Sequence, residues 1–315
     1  MNQPTHEFSS TIQGLLDQLE RSLLGKRKEL SYALSCLLAD GHLLIEDVPG
    51  VGKTTMARSL ANCFHAKFTR VQFTSDLLPS DLIGVTIYRA AKEDFSFQAG
   101  PVFTNVLLAD EINRANPKTQ SALLEAMHEN QVSHDGKTFN LPDPFFVIAT
   151  QNSKDHHGTF PLPEAQLDRF LMRLHLGYPL KKFELEVIRG RLDSISDYSL
   201  LPLETLKSMR TKRQEIFVSD EIVNYIYEII NRTRNHDQVS VGVSPRGAQA
   251  LYASAQAYAL VQGRSFCTPD DILELAPLVC CHRLLVKRST EFTRGQDFAH
   301  QVMADILSSI PQPAG

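Results

Sequence analysis

Tryptophan is absent from the 315 residues, and neither sign of charge dominates: 32 lysines and arginines stand against 36 aspartates and glutamates, a formal net charge of −4. No broad cationic field is there to gather nucleic acid, so a nucleic-acid partner is not expected. No apolar run approaches the roughly 18 residues that a membrane helix needs, so no membrane insertion is expected either. The first residues, Met-Asn-Gln-Pro-Thr-His-Glu-Phe, lack the basic-then-apolar order of a secretory leader. The 11 histidines show no His-Glu-x-x-His or similar metal spacing, and His156-His157 sits in a Lys-Asp-His-His-Gly stretch that reads as a plain loop. Cysteine is scarce and odd in number: Cys36, Cys63, Cys267, Cys280 and Cys281 form no Cys-x-x-Cys pair. They read as reduced thiols packed in cores, which suits a cytoplasmic protein; a redox pair at Cys280 and Cys281 is the alternative. What remains, 43% apolar and 22% charged residues, is ordinary globular composition in a chain long enough for two domains.

Residues 46–55 carry the most information: Glu-Asp-Val-Pro-Gly-Val-Gly-Lys-Thr-Thr. They follow an apolar run, His42-Leu43-Leu44-Ile45, and precede apolar residues at helical spacing, Met56, Leu60 and Phe64. Strand, glycine-rich turn and helix together are the setting of a phosphate-binding loop. Glycines 50 and 52 permit backbone forms that a side chain would forbid, so successive N–H groups can face an anion. The helix starting near Lys53 adds its positive end. Pro49, Gly50, Val51, Gly52, Lys53, Thr54 and Thr55 are therefore the candidate binders of ATP. Lys53 reaches the β- and γ-phosphates, and the Thr54 hydroxyl ligates Mg²⁺. The usual pattern opens on glycine, whereas Asp47 stands at that place here. The bland alternative is an ordinary strand-to-helix turn.

Val106-Leu-Leu-Ala109 is a wholly apolar run, as a central parallel strand requires, and it ends in Asp110-Glu111. Paired carboxylates at a strand end are costly unless solvent, metal or ligand meets them, and the carboxyl ends of parallel strands are where ligands bind. Asp110 is thus placed for the Mg²⁺ shell. Glu111 is placed to orient or deprotonate a water aimed at the γ-phosphate. Phe146-Val-Ile-Ala-Thr-Gln-Asn152 is a further buried strand; if it neighbours the Asp110 strand, Asn152 reaches the attacking water or the γ-phosphate. Arg169, before the next strand, and Arg246, in Ser244-Pro-Arg-Gly, read locally as either surface ion pairs or catalytic cations.

Strand candidates at 42–46, 68–73, 105–109, 145–150 and 170–176 alternate with helical segments, which argues for an α/β fold with a parallel sheet. Two helical segments precede them, from Phe8 to Leu23 and then to about Ala39, separated by a basic run, Lys26-Arg27-Lys28, that reads as a solvated helix start. Asp135-Gly136 lies between short strand-like arms and signals a hairpin. After Tyr178-Pro179 helical patterns dominate, with starts at Ser219, Ser244 and Thr268. The expected organisation is an α/β nucleotide domain over 1–179 and a helical lid over the nucleotide from 180 to 315.

Asp-Val-Pro-Gly-Val-Gly-Lys-Thr, Leu-Leu-Ala-Asp-Glu-Ile-Asn-Arg-Ala, Ala-Thr-Gln-Asn and Leu-Pro-Glu-Ala-Gln-Leu-Asp-Arg-Phe together resemble the MoxR family of AAA+ ATPases, densely from about 24 to 178. The resemblance implies that Lys53 and Thr54 are Walker A, Asp110 and Glu111 Walker B, Asn152 sensor 1, Arg169 the arginine finger and Arg246 sensor 2. It also implies a hairpin insert near 83–103 and a second hairpin at 132–139. It further implies a ring, often hexameric, that remodels protein clients together with a von Willebrand factor A domain protein, in maturing complexes or metal centres. A nucleic-acid motor of the helicase-related branch and a nucleotide-gated binding module with little turnover are the competing functions.

Overall fold

The computed structural model describes residues 4–90, 93–152, 158–190, 200–287 and 295–313. Five strands form one parallel sheet in the order β2-β5-β8-β1-β9: β1 (Leu43–Glu46), β2 (Phe68–Gln72), β5 (Val106–Asp110), β8 (Phe146–Gln151) and β9 (Met172–Leu174). Each lies within two or three residues of its expected position. β1, β5 and β8 are buried along nearly their whole length, as strands covered on both faces must be. Charge at the end of β1 is paired within the sheet, where Arg173 of β9 lies 3.6 Å from buried Glu46.

The sequence begins with two helices, α1 (Pro4–Ser22) and α2 (Arg27–Leu38). Helix α3 (Lys53–Cys63) follows β1, and α4 (Pro79–Ile83) follows β2. Helix α5 (Pro117–Glu129) follows β5; Asn116 caps it by accepting from the Lys118 and Thr119 amides, with Pro117 at its first position. Two antiparallel hairpins stand outside the sheet: β3 (Gly84–Arg89) with β4 (Asp94–Ala99), and β6 (Gln131–His134) with β7 (Lys137–Asn140). Asp135 and Gly136 both take positive φ in the tight turn of the second, the backbone that such a two-residue loop requires. The hairpins lean on each other: Phe97 stacks on Phe139 at 4.1 Å between ring centroids, and Thr86 Oγ1 donates to Asp135 Oδ2 over 2.6 Å.

Helix α6 (Glu164–Leu167) precedes β9; after β9 come α7 (Lys181–Ile188), α8 (Leu203–Arg213), α9 (Asp220–Arg234), α10 (Pro245–Val261), α11 (Pro269–Cys280) and α12 (Gly295–Ser309). Ser219 and Ser244 cap α9 and α10 through the amides of Ile222 and Gly247. Asp271 accepts from the Thr268 amide at the start of α11. A short antiparallel ladder, β10 (Val239–Val241) with β11 (Leu285–Val286), is added to these helices. One continuous apolar core runs from α1 and α2 through one face of the sheet into these helices; a second fills the other face beneath α5.

The late helices pack on α1 and α2: α10 and α8 contact α2, and α10 contacts α1. The reason is the apolar content of α2, whose residues Leu30 to Leu38 are all buried and need cover on several sides. One expectation needs correction: the start of the basic run is not solvated. Lys26 is 9% exposed, because its ammonium donates to the carbonyls of Leu176 and Tyr178 and pairs with Glu29. Arg27 and Lys28 do reach solvent, pairing with Asp17 and Glu274 respectively.

Candidate nucleotide site

The sheet order brings the chemistry together. β5, β8 and β1 are consecutive neighbours, so whatever follows their carboxyl ends converges. The loop after β1 turns through Gly50 (φ 87°) and Gly52 (φ 96°) into α3. Both angles suit glycine, and a Cβ on Gly52 would also stand 2.3 Å from Leu23 Cδ1. Pro49, Gly50, Gly52, Lys53, Thr54, Thr55, Asp110, Glu111 and Asn152 line one cavity of about 380 Å³. Val51 is the exception among the expected loop residues: its side chain is buried in the core, so only its backbone belongs to the loop.

Lys53 is half-buried, and its Nζ donates to the Asp47 carbonyl over 2.7 Å. Burial lowers its pKa, while the carboxylates of Asp110, Asp47 and Glu111 act in the opposite sense. Asp110 and Glu111 are fixed by a shared hydroxyl: Thr150 Oγ1 donates to Asp110 Oδ1 (2.6 Å) and accepts from the Glu111 amide (2.8 Å). Glu111 adopts a left-handed backbone, φ 57° and ψ 49°, uncommon outside glycine and asparagine. Its Oε2 accepts from Gln72 Nε2 (2.8 Å) and lies 3.0 Å from Arg114 Nε. Arg70 approaches Asp110 Oδ2 at 2.7 Å. Sequence reasoning passed over Arg70, Gln72 and Thr150. The usable signal was the alternation Arg70-Val71-Gln72, which puts two polar residues on one side of a strand at the edge of the sheet.

Arg169 and Arg246 do not join this cavity. They line a second one, of about 200 Å³, with Asp168, Arg283, His42 and His128 among its walls. Gly41 and His42 precede β1 and Leu171 precedes β9, so this cavity lies at the amino ends of the strands, opposite the phosphate loop. Arg169 Nη1 donates to the Leu124 carbonyl, and Arg246 Nη2 lies 3.3 Å from His128 Nδ1. The Arg283 side chain is buried and pairs with Asp168 at 2.7 Å; burial lowers its pKa and Asp168 opposes that. His42 is buried, its Nδ1 accepting from the Val147 amide and its Nε2 donating to the Met127 carbonyl, with its pKa pushed down to about 4 by burial.

All five cysteines are buried and free, and burial pushes the Cys280 and Cys281 thiols up to about 12, against a redox pair. His156 and His157 lie outside the described residues. Among the described residues no group of histidine, cysteine, aspartate and glutamate forms a metal cluster, and no helix is long and apolar enough to cross a membrane.

A parallel sheet in this order, with a phosphate loop after β1 and helices following β9, is the AAA+ α/β fold with a helical lid. Family models agree: residues 42–172 match the ATPase family associated with various cellular activities (AAA), and residues 231–306 match an AAA lid domain. The chain is 48% identical to YeaC of Bacillus subtilis over 95% of this chain and 93% of that protein. It is 41% identical to Chaperone MoxR1 of Mycobacterium tuberculosis over 88% of this chain and 76% of that protein. A crystal structure assigned as an ATPase from Cytophaga hutchinsonii superposes with a TM-score of 0.89 at 34% identity, covering 98% of this chain and 97% of that one. The chain belongs to the MoxR family of AAA+ ATPases.

Proposed function

We propose that this protein hydrolyses ATP and uses the cycle to remodel protein clients. The convergence of Lys53, Asp110, Glu111 and Asn152 on one cavity carries the reading. The loop amides and the α3 N-terminus bind the phosphates, and Lys53 leaves the Asp47 carbonyl to pair with them. Glu111 accepts the proton of the attacking water, and Asn152 orients that water or the γ-phosphate. Thr54 and Asp110 would hold Mg²⁺. Their oxygens are the hard donors it prefers, and both residues line the same cavity. When bound, the ion neutralises charge on the phosphates.

Arg169 and Arg246 serve the site of a neighbouring copy, because they stand at the opposite ends of the strands from their own phosphate loop. A closed ring, a hexamer by family resemblance, supplies that neighbour. Residues 1–179 and 180–315 act as the nucleotide unit and the lid. The chaperone name of the Mycobacterium tuberculosis relative supports protein clients, and by family resemblance a von Willebrand factor A domain protein is the partner to try first. The cytoplasm is the compartment that reduced thiols and ATP imply.

The test is the rate of phosphate release from ATP and Mg²⁺ by the purified protein, alone, with a von Willebrand factor A domain protein and with single-stranded DNA. Stimulation by the protein partner alone is expected. Stimulation by DNA alone would move the protein to the motor class, and no hydrolysis under any condition would leave a nucleotide-gated binder.

A further inference from the structure

Asp47 departs from the glycine usual at the first position of the loop, and each oxygen of its carboxylate meets a backbone donor. Oδ1 accepts from the Val48 amide at 2.9 Å, within the loop. Oδ2 accepts from the Gly177 amide at 2.6 Å, 130 residues further along. Asp47 does not line the nucleotide cavity; its carboxylate turns toward the strap Leu176-Gly177-Tyr178, the chain's passage from β9 to α7. Gly177 takes φ 62° there, so the strap bends where its amide meets the carboxylate. Lys26 holds the same strap from the other side, donating to the carbonyls of Leu176 and Tyr178. The main-chain carbonyl of Asp47 is the acceptor that holds Lys53 Nζ.

One residue therefore touches both the lysine that must move onto phosphate and the strap that leads to α7–α12. We infer that Asp47 is a positioning residue: it transmits occupancy of the phosphate loop to the strap, with Lys26 as the opposing half of a clamp. When Lys53 departs for phosphate, the Asp47 carbonyl loses its donor. The adjacent peptide is then free to shift, and the carboxylate carries that shift to Gly177. A charge-assisted hydrogen bond is strong enough to transmit it, since such bonds are roughly twice as strong as neutral ones.

Hydrogen–deuterium exchange of the strap amides tests this in Asp47→Gly, in Lys26→Met and in the wild-type chain, each without nucleotide and at saturating ADP. The nucleotide-free half stands on its own; the nucleotide half rests on the proposed function. Without nucleotide, Asp47→Gly should exchange the Gly177 amide about tenfold faster than wild type, as loss of one bond to a charged acceptor predicts. At saturating ADP, wild-type strap exchange should change, and in both variants that change should vanish. A merely structural Asp47 would accelerate strap exchange yet leave the ADP response intact, which overturns the inference, as does wild-type exchange in nucleotide-free Asp47→Gly. Should Asp47→Gly not fold, an intact ADP response in Lys26→Met would equally overturn it. Failure of the wild-type chain to bind ADP counts against the proposed function and leaves the nucleotide-free comparison to decide the clamp.

Discussion

The two cavities at opposite ends of the same strands are built in opposite ways. The carboxyl-end cavity has a glycine loop, a helix N-terminus, two carboxylates and an amide; its cations are Lys53 and Arg70. The amino-end cavity has arginines 169, 246 and 283 and no phosphate loop, and Arg283 there is tied to Asp168. Phosphoryl transfer needs a cradle and compensating cations together. Within one chain they are separated by the length of the strands; across a subunit boundary they would complete each other.

The sharpest way to break that comparison is Arg169→Ala. Loss of a cation supplied in trans is expected to cost roughly 10³–10⁵ in hydrolysis rate. Mixing Arg169→Ala with Lys53→Ala subunits should restore part of the activity, because some interfaces then hold an intact loop and an intact arginine. No recovery in rings that exchange subunits, or full activity of Arg169→Ala alone, would put the arginine out of the mechanism.

Glu111→Gln comes next, with hydrolysis expected to fall by about 10²–10⁴ while ATP binding measured by calorimetry is kept. Lys53→Ala should instead lose tight ATP binding. If Glu111→Gln hydrolyses at the wild-type rate, the carboxyl-end cavity has been misassigned.

His42, in the wall of the amino-end cavity, makes stability depend on pH. Its folded pKa of about 4 lies below the ordinary 6.5, so the unfolded chain binds the proton first. Stability is therefore full above about pH 6.5 and declines as pH falls toward 4, by on the order of 3 kcal/mol in all. The slope of Tm against pH over this window should flatten in His42→Gln; an unchanged slope would assign the acid sensitivity elsewhere.

The smallest effect is expected at Gln72→Ala, which frees Glu111 Oε2 of one donor. Basal hydrolysis should rise by about two- to tenfold, the worth of one hydrogen bond. A fall instead would mean that Gln72 holds Glu111 in its working orientation.

Local order along the chain was enough for much of this protein. A phosphate loop is one contiguous turn, so local order alone marks Pro49 to Thr55 as its candidates, whereas the burial of the Val51 side chain depends on what packs above it. Apolar runs ending in polar residues announced β5 and β8, because a strand buried on both faces permits polar groups only at its end. Other features are set by partners far away in sequence. Thr150 bridges Asp110 and Glu111 only because β8 lies beside β5. Lys26 looked like a surface cation and is buried because two carbonyls more than a hundred residues away receive it. Arg169 and Arg246 were readable as cations, but their place at the amino ends follows from sheet order and from the docking of α10 on α2. The sequence by itself determined the chemistry that sits within one turn or one strand end, because backbone propensity and burial act over a few residues. Tertiary structure alone decided which of those pieces share a cavity and which face away, because that depends on strand order and on which apolar faces cover one another.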